Sequence, residues 1–198
     1  MKARFEIVFS MAAFGTIAVF VRNIGLPSGE VALYRAVIAA LALFLWQLCT
    51  RQTVRWQDVK KELPLLFVSG AAMSVNWILL FEAYKYTTVA MATLSYYFAP
   101  VIVTVASTVL FREGLTAKQI SCFVMSTLGL VMVIGVSGGG GSHDLLGILL
   151  GLGAAVFYAA VVLINKGIRR VSGLNRTFMQ FLAAILVMTP YISMTGGS

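Results

Sequence analysis

The residues able to do chemistry are few, and they lie where charge and polarity are expensive. Arg35 stands inside the apolar segment VALYRAVIAALALFLW, Glu82 and Lys85 sit three apart in LLFEAYKY, and Asn76 and Trp77 are adjacent in MSVNWILL. Tyr96, Tyr97, Pro100 and Thr104 follow within one uncharged stretch. A central arginine in hydrocarbon costs about 3 kcal/mol, and less near an interface where it can snorkel, so Arg35 calls for a partner or a wet cavity. Two readings stay open for it: a helix-end anchor or ion pair with Glu30 or Glu82, and a role in binding a substrate or an anion. Glu82 is either the partner of Lys85 in an i,i+3 helical pair or a group that titrates or holds a cationic substrate at the rim of a cavity. Trp77, Phe81 and Tyr84 form a stripe that serves either packing or a cation–π wall. This is binding chemistry. His143 is the lone histidine and falls in a loop, no two carboxylates share a mid-membrane face, and no nucleophile has a base nearby. Covalent catalysis, a metal and a cofactor are therefore not expected, and the chain is not read as an enzyme.

The elements that must hold these residues are membrane-spanning helices. The 198-residue chain is 60% hydrophobic and 11% charged, with a mean hydropathy of +0.92, which excludes an ordinary soluble domain. Its net charge of +8 would suggest nucleic acid for a soluble protein, but here the charges fall between apolar runs, so the partner is the lipid bilayer and no nucleic acid is expected. Seven runs are long enough to cross: about Phe5 to Val21, Val31 to Cys49, Leu63 to Tyr84, Thr88 to Phe111, Gln119 to Val136, Leu145 to Ile164 and Phe178 to Met194. The first reads as a helix rather than a cleaved leader. Cys49 and Cys122 read as packing residues near helix ends, reduced on the cytoplasmic side. The expected class is an all-α polytopic membrane protein.

Tyr86 to Thr116 organises the chain. Thr87 or Thr88 can cap its first turn, and Thr116 with Gln119 makes a T-x-x-Q capping box that starts the next helix after a short REGL turn. Pro100 has no amide proton and clashes with the preceding turn, so a carbonyl near Tyr96 loses its helical partner. In lipid that carbonyl must be satisfied from elsewhere, which marks the middle of this span as a place for a cavity. Ala92, Tyr96, Pro100, Thr104 and Thr108 are spaced by four and predict one inward face. In the sixth span Gly147, Gly151, Ala155 and Ala159 make a stripe of small residues suited to close bundle packing. Asp144 is placed to cap that span, with His143 solvated beside it.

Orientation follows from the lysines and arginines. Lys2, Arg4, Arg51, Arg55, Lys60, Lys61, Arg112, Lys118, Lys166, Arg169, Arg170 and Arg176 fall on one side, and only Arg22 and Lys85 on the other. By the positive-inside rule the N-terminus is cytoplasmic, with localisation in a bacterial-type plasma (inner) membrane.

An ordered set of residues carries a resemblance. In EAYKYTTVAMATLSYYFAPVIVTVASTVLFREGLTAKQISCFVMSTLGLVMVI, Ala83, Lys85, Tyr86 and Thr87 precede Ala90 and Ala92, then Pro100, the Arg112–Glu113 turn and Gly129. The stretch resembles EamA-type transporters of the drug/metabolite transporter superfamily, and the similarity continues over nearly the whole chain. LYRAVIAALAL resembles the family's second helix, where an arginine is common, while the family pattern has an uncharged residue at Glu82. The resemblance implies a ten-helix carrier of two inverted five-helix repeats. Residues 1–137 then form the first repeat, 138–144 a Gly-rich connector, natural or engineered, and 145–198 the first two helices of an incomplete second repeat. At an offset of 142, Ala12–Ala13 match Ala154–Ala155, and Ala18, Val19 and Asn23 match Ala160, Val161 and Asn165. A slightly longer offset sets Gln180 opposite Arg35.

The expected function is an integral membrane secondary transporter, an exporter of small metabolites, amino acids or drugs, working by alternating access. Arg35, Asn76, Trp77, Glu82, Tyr96, Tyr97, Pro100 and Thr104 are the cavity candidates, with Tyr158 and Gln180 from the second repeat. Proton coupling, if present, would use Glu82, the sole intramembrane carboxylate candidate. The alternative is a non-transporting fragment or assembly unit that needs a partner chain. Substrate identity and oligomeric state stay open.

Overall fold

The computed structural model describes residues 9, 16, 21, 24–50, 56–111, 114–136, 142–171 and 173–195, with the side chains of residues 111, 130, 133–136, 142 and 195 excepted. The described residues form helices: α1 (Ser28–Thr50), α2 (Trp56–Tyr86), α3 (Val89–Tyr96), α4 (Ala99–Phe111), α5 (Ala117–Val136), α6 (Ser142–Gly167) and α7 (Gly173–Thr195). Five stretches are long and apolar enough to cross a bilayer: Ser28–Thr50, Trp56–Tyr86, Val89–Leu110, His143–Gly167 and Gly173–Met194. The sequence predicts seven. The first, Phe5 to Val21, lies outside the described residues except at three single positions, and the fifth is helical as α5 without being one of these five. The Arg112–Glu113 turn and the glycines of the connector also lie outside the description.

Helix ends follow local chemistry. Pro27 presets the entry to α1, its carbonyl accepting from Val31 N at 3.1 Å, and Glu30 lies in the first turn where the helix dipole favours it. Of the two threonines, Thr88 is the cap of α3: it is extended (φ −67°, ψ 149°) and its side chain accepts from Met91 N at 3.2 Å. Thr87 instead donates to Asp144 Oδ1 at 2.9 Å. That bond takes Asp144 away from the capping role predicted for it; α6 already begins at Ser142 and holds Asp144 in its first turn. The predicted capping box is present, with Thr116 N donating to Gln119 Oε1 at 2.8 Å and Gln119 N donating to Thr116 Oγ1 at 3.3 Å.

The span that opens at Val89 breaks where Pro100 requires. Phe98 N turns back to Ser95 O at 3.2 Å in a tightened turn, and Val101 N and Ile102 N both donate to Phe98 O. The helical ladder is therefore interrupted between α3 and α4. The break divides the predicted four-spaced face. Ala92 and Tyr96 are buried against the bundle, whereas Pro100 and Thr104 line a groove between α4 and α5.

Helix α2 is the hub, packed most extensively on α6 and then on α7, which in turn holds α1. Its 31 residues extend about 46 Å, more than the 30 Å of hydrocarbon. Glu62 and Glu82 are 20 residues apart on it, about 30 Å, a separation that matches the thickness of the hydrocarbon core. Glycine permits the approach of α2 to α7: a Cβ on Gly70 would stand 2.6 Å from Gln180 O and 2.5 Å from Ala183 Cβ. The small stripe of α6 serves bundle packing in the same way, since a Cβ on Gly147 would meet Thr87 and one on Gly151 would meet Ala92 O and Ser95 Cβ, both at 3.0 Å.

Gly70→Val is expected to destabilise the folded bundle by about 1–3 kcal/mol, because the obstacle includes backbone. Gly129→Ala, where nothing lies within 4 Å, leaves stability unchanged or raises it by up to about 1 kcal/mol. Denaturing-detergent titration followed by circular dichroism measures both.

Candidate substrate site

Arg35 lies seven residues into α1, about 10 Å below the Glu82 level. Its guanidinium carbon stands 4.8 Å from the Trp77 ring centroid and 5.9 Å from that of Phe81. Trp77 leans on Phe181 of α7 (centroids 5.4 Å apart), and Tyr96 at the end of α3 meets Tyr158 of α6 edge-on at 5.6 Å. Helical periodicity places Trp77, Phe81 and Tyr84 on one side of α2, and all three belong to the main buried cluster with Tyr96. All three rings pack in the core, and the Arg35 guanidinium lies over two of them, Trp77 and Phe81. A ring face in a desolvated setting attracts such a cation by about 2 kcal/mol, a large part of what the arginine costs in the membrane.

Asn76 is 2% exposed, and its Nδ2 donates to Ala154 O at 2.6 Å. The bond crosses from α2 to the small-residue stretch of α6, where Ala154 and Ala155 leave the backbone reachable.

Gln180 belongs to a second polar group. It is 4% exposed and donates to Asn165 Oδ1 at 2.6 Å and to Ser69 Oγ, which itself donates to Asn165 Oδ1 at 3.2 Å. Ser69 lies eight residues before Trp77 on α2, about 12 Å along the axis, and Phe181 links the two groups by following Gln180 in α7. Below them Glu62, 8% exposed, accepts from the backbone amides of Arg169 and Arg170, both at 3.0 Å, and of Val171 at 3.2 Å. Arg176 donates to the carbonyls of Asn165, Ile168 and Val171 at 3.3, 2.8 and 3.4 Å. The α6–α7 turn is thus clamped twice: a carboxylate takes its amides and a guanidinium takes the carbonyls that end α6.

Glu82 faces elsewhere. Its Oε2 pairs with Lys85 Nζ at 3.0 Å and accepts from Ser28 Oγ at 2.6 Å, beside a small pocket of about 300 Å³ that also includes Tyr191 of α7. Tyr97 is 52% exposed, and Thr104 donates to its own helix at Pro100 O (2.8 Å). The described structure thus brings together Arg35, Asn76, Trp77, Tyr96 and Tyr158. It places Gln180 below them, Glu82 at the rim, and Tyr97, Pro100 and Thr104 toward α5. Sequence reasoning passed over Ser69, Glu62 and Phe181; the first two were legible as polar residues bordering or interrupting apolar runs.

The comparisons with known proteins agree with this architecture. The model of the EamA-like transporter family matches residues 2–135. The chain belongs to the EamA-like transporter family. It is 31% identical over 191 residues to the uncharacterized transporter YxxF of Bacillus subtilis (strain 168), covering 94% of this chain and 61% of that one. It is 29% identical over 191 residues to an uncharacterized transporter of Archaeoglobus fulgidus, covering 96% of this chain and 66% of the relative. The chain thus spans less than two thirds of the length of these relatives. No solved structure matches it. Family membership and the apolar helices make it a multi-pass membrane protein.

Glu62→Ala strands three amides of the α6–α7 turn and is expected to cost about 3 kcal/mol, with Glu62→Gln costing less because it keeps an acceptor. Thermal unfolding in detergent, with proteolysis at the 168–171 turn as a local readout, tests the order.

Proposed function

We propose that the chain is part of a secondary transporter, an exporter of small metabolites, amino acids or drugs, that moves its cargo by alternating access. The observation that carries this reading is Arg35 held 4.8 Å over Trp77 within the membrane, in a cluster assembled from α1, α2, α3, α6 and α7. Polar groups are costly at this depth, and a family of transporters has a use for them at a cargo site. In this reading Arg35 and Asn76 orient the cargo, while Trp77, Tyr96 and Tyr158 wall it. Residues 1–137 act as one five-helix repeat and 145–198 open a second, inverted one, with the N-terminus cytoplasmic in a bacterial-type inner membrane. Membership of the family favours this carrier over a membrane-embedded enzyme.

Glu82 acts in this reading as a tether between α1 and α2 at the outer rim, because Ser28 and Lys85 both engage its Oε2. Partly exposed pairs of this kind are worth up to about 1 kcal/mol, about fivefold in a rate.

The test is flux in proteoliposomes loaded with a radiolabelled panel of amino acids and organic cations, using both this chain and a length matching its relatives. Arg35→Gln is expected to lower flux at least tenfold with helicity unchanged. Flux that survives Arg35→Gln and Trp77→Ala at full rate overturns the site. Glu82→Gln is expected to change flux less than about fivefold and to leave any dependence on a proton gradient intact; loss of that dependence assigns proton coupling to Glu82.

A further inference from the structure

We propose that the groove between α4 and α5 is a binding site for one anionic phospholipid. The groove encloses about 590 Å³ and is walled by Tyr97, Val101 and Val105 on one side and by Leu115, Ile120 and Phe123 on the other. Its walls stay exposed within the fold: Val105 is 43%, Leu115 41% and Ile120 50% accessible. Helix α5 makes only a light packing contact with α3, and Phe98 reaches it with ring centroids 6.1 Å apart from Phe123, so the two sides meet at that end of the groove.

The dimensions and polarity of the groove select the occupant. From Leu115 to Ser126 it extends about 16 Å along α5, and from Tyr97 to Val105 about 12 Å along α4. Half of a 30 Å hydrocarbon core is about 15 Å, so the groove covers one leaflet. One end is at Leu115, Lys118 and Gln119, by the start of α5; the other is the break at Tyr97 and Phe98. A single acyl chain fills the apolar length from interface to midplane. At the interface end the Lys118 ammonium faces a headgroup phosphate, at the start of α5 where amide dipoles also favour negative charge. Tyr97, Pro100 and Thr104 thereby become lining residues of a lipid site, and the break at Pro100 gives the groove its floor.

Native mass spectrometry of the whole chain, released from detergent containing equimolar dioleoyl-phosphatidylglycerol and dioleoyl-phosphatidylcholine, tests this. One bound phosphatidylglycerol is expected, retained about fivefold over phosphatidylcholine, the discrimination that one interfacial lysine supplies. Lys118→Gln is expected to reduce the preference to within about twofold, and Val105→Trp, which fills the groove, to remove retention of both lipids. Equal retention of the two lipids by the unaltered chain, or a preference that Lys118→Gln leaves intact, overturns the proposal. So does a lipid-free dimer dissociated by Val105→Trp, which assigns the groove to a second copy of the chain. Lys118 is exposed on α5, so its variant reads out even if the tryptophan variant fails to fold.

Discussion

The approach of α2 to α7 at Gly70 is the constraint on which the rest of the bundle depends. With backbone oxygen 2.6 Å from where a side chain would begin, α2 and α7 touch along their main chains. That contact brings Gln180 onto Ser69 and Asn165, and it lets Phe181 reach across to Trp77. The same economy governs α6, where Gly147 and Gly151 admit Thr87, Ala92 and Ser95. In lipid no hydrophobic drive separates helix contacts from lipid contacts, so association rests on fit and on interhelical hydrogen bonds. Asn76 to Ala154 O, across the same seam, is one of those bonds.

Charge is distributed along α2 in three levels. Glu62 at one end takes backbone amides of the α6–α7 turn; Glu82 at the other is tied to Ser28 and Lys85; Arg35 of α1 approaches between them over an aromatic wall. The two carboxylates are engaged at opposite ends of the bundle, each closing a connection between helices. Arg35 is offered ring faces in the middle. The contrast gives the central cluster a character distinct from the two ends: cationic, aromatic and enclosed by five helices. The ties at the two ends are made by residues that the cluster does not use.

Much of this was legible in the chain. The apolar runs gave α1, α2, α6 and α7 because roughly twenty uncharged residues admit one solution in a bilayer, a helix with its own hydrogen bonds satisfied. Thr116 and Gln119 announced their capping box, and Pro100 announced a lost helical hydrogen bond near Tyr96, because capping and the missing amide are properties of a few adjacent residues; that the loss ends α3 and starts α4 was not read from them. The stripe Trp77, Phe81, Tyr84 followed from a period of 3.6. Ala92 through Thr108 failed as a single face for the same local reason that made Pro100 visible: spacing by four predicts a face only while the helical ladder is unbroken.

The sequence by itself determined that the chain lives in a membrane and roughly where its long apolar helices run, since those depend on the solvent and on neighbours within a turn or two; several helices start three to seven residues before the apolar run, where polar residues continue the helix. Only the tertiary structure decided which polar groups meet. Glu62 is 107 residues from Arg169, Gln180 is 111 from Ser69, and Thr87 bonds Asp144 rather than capping its own helix. Such pairings depend on the rotation and depth of each helix against the others, which are set by where glycine and alanine let two backbones touch. Side-chain periodicity names a face, and packing chooses what that face sees.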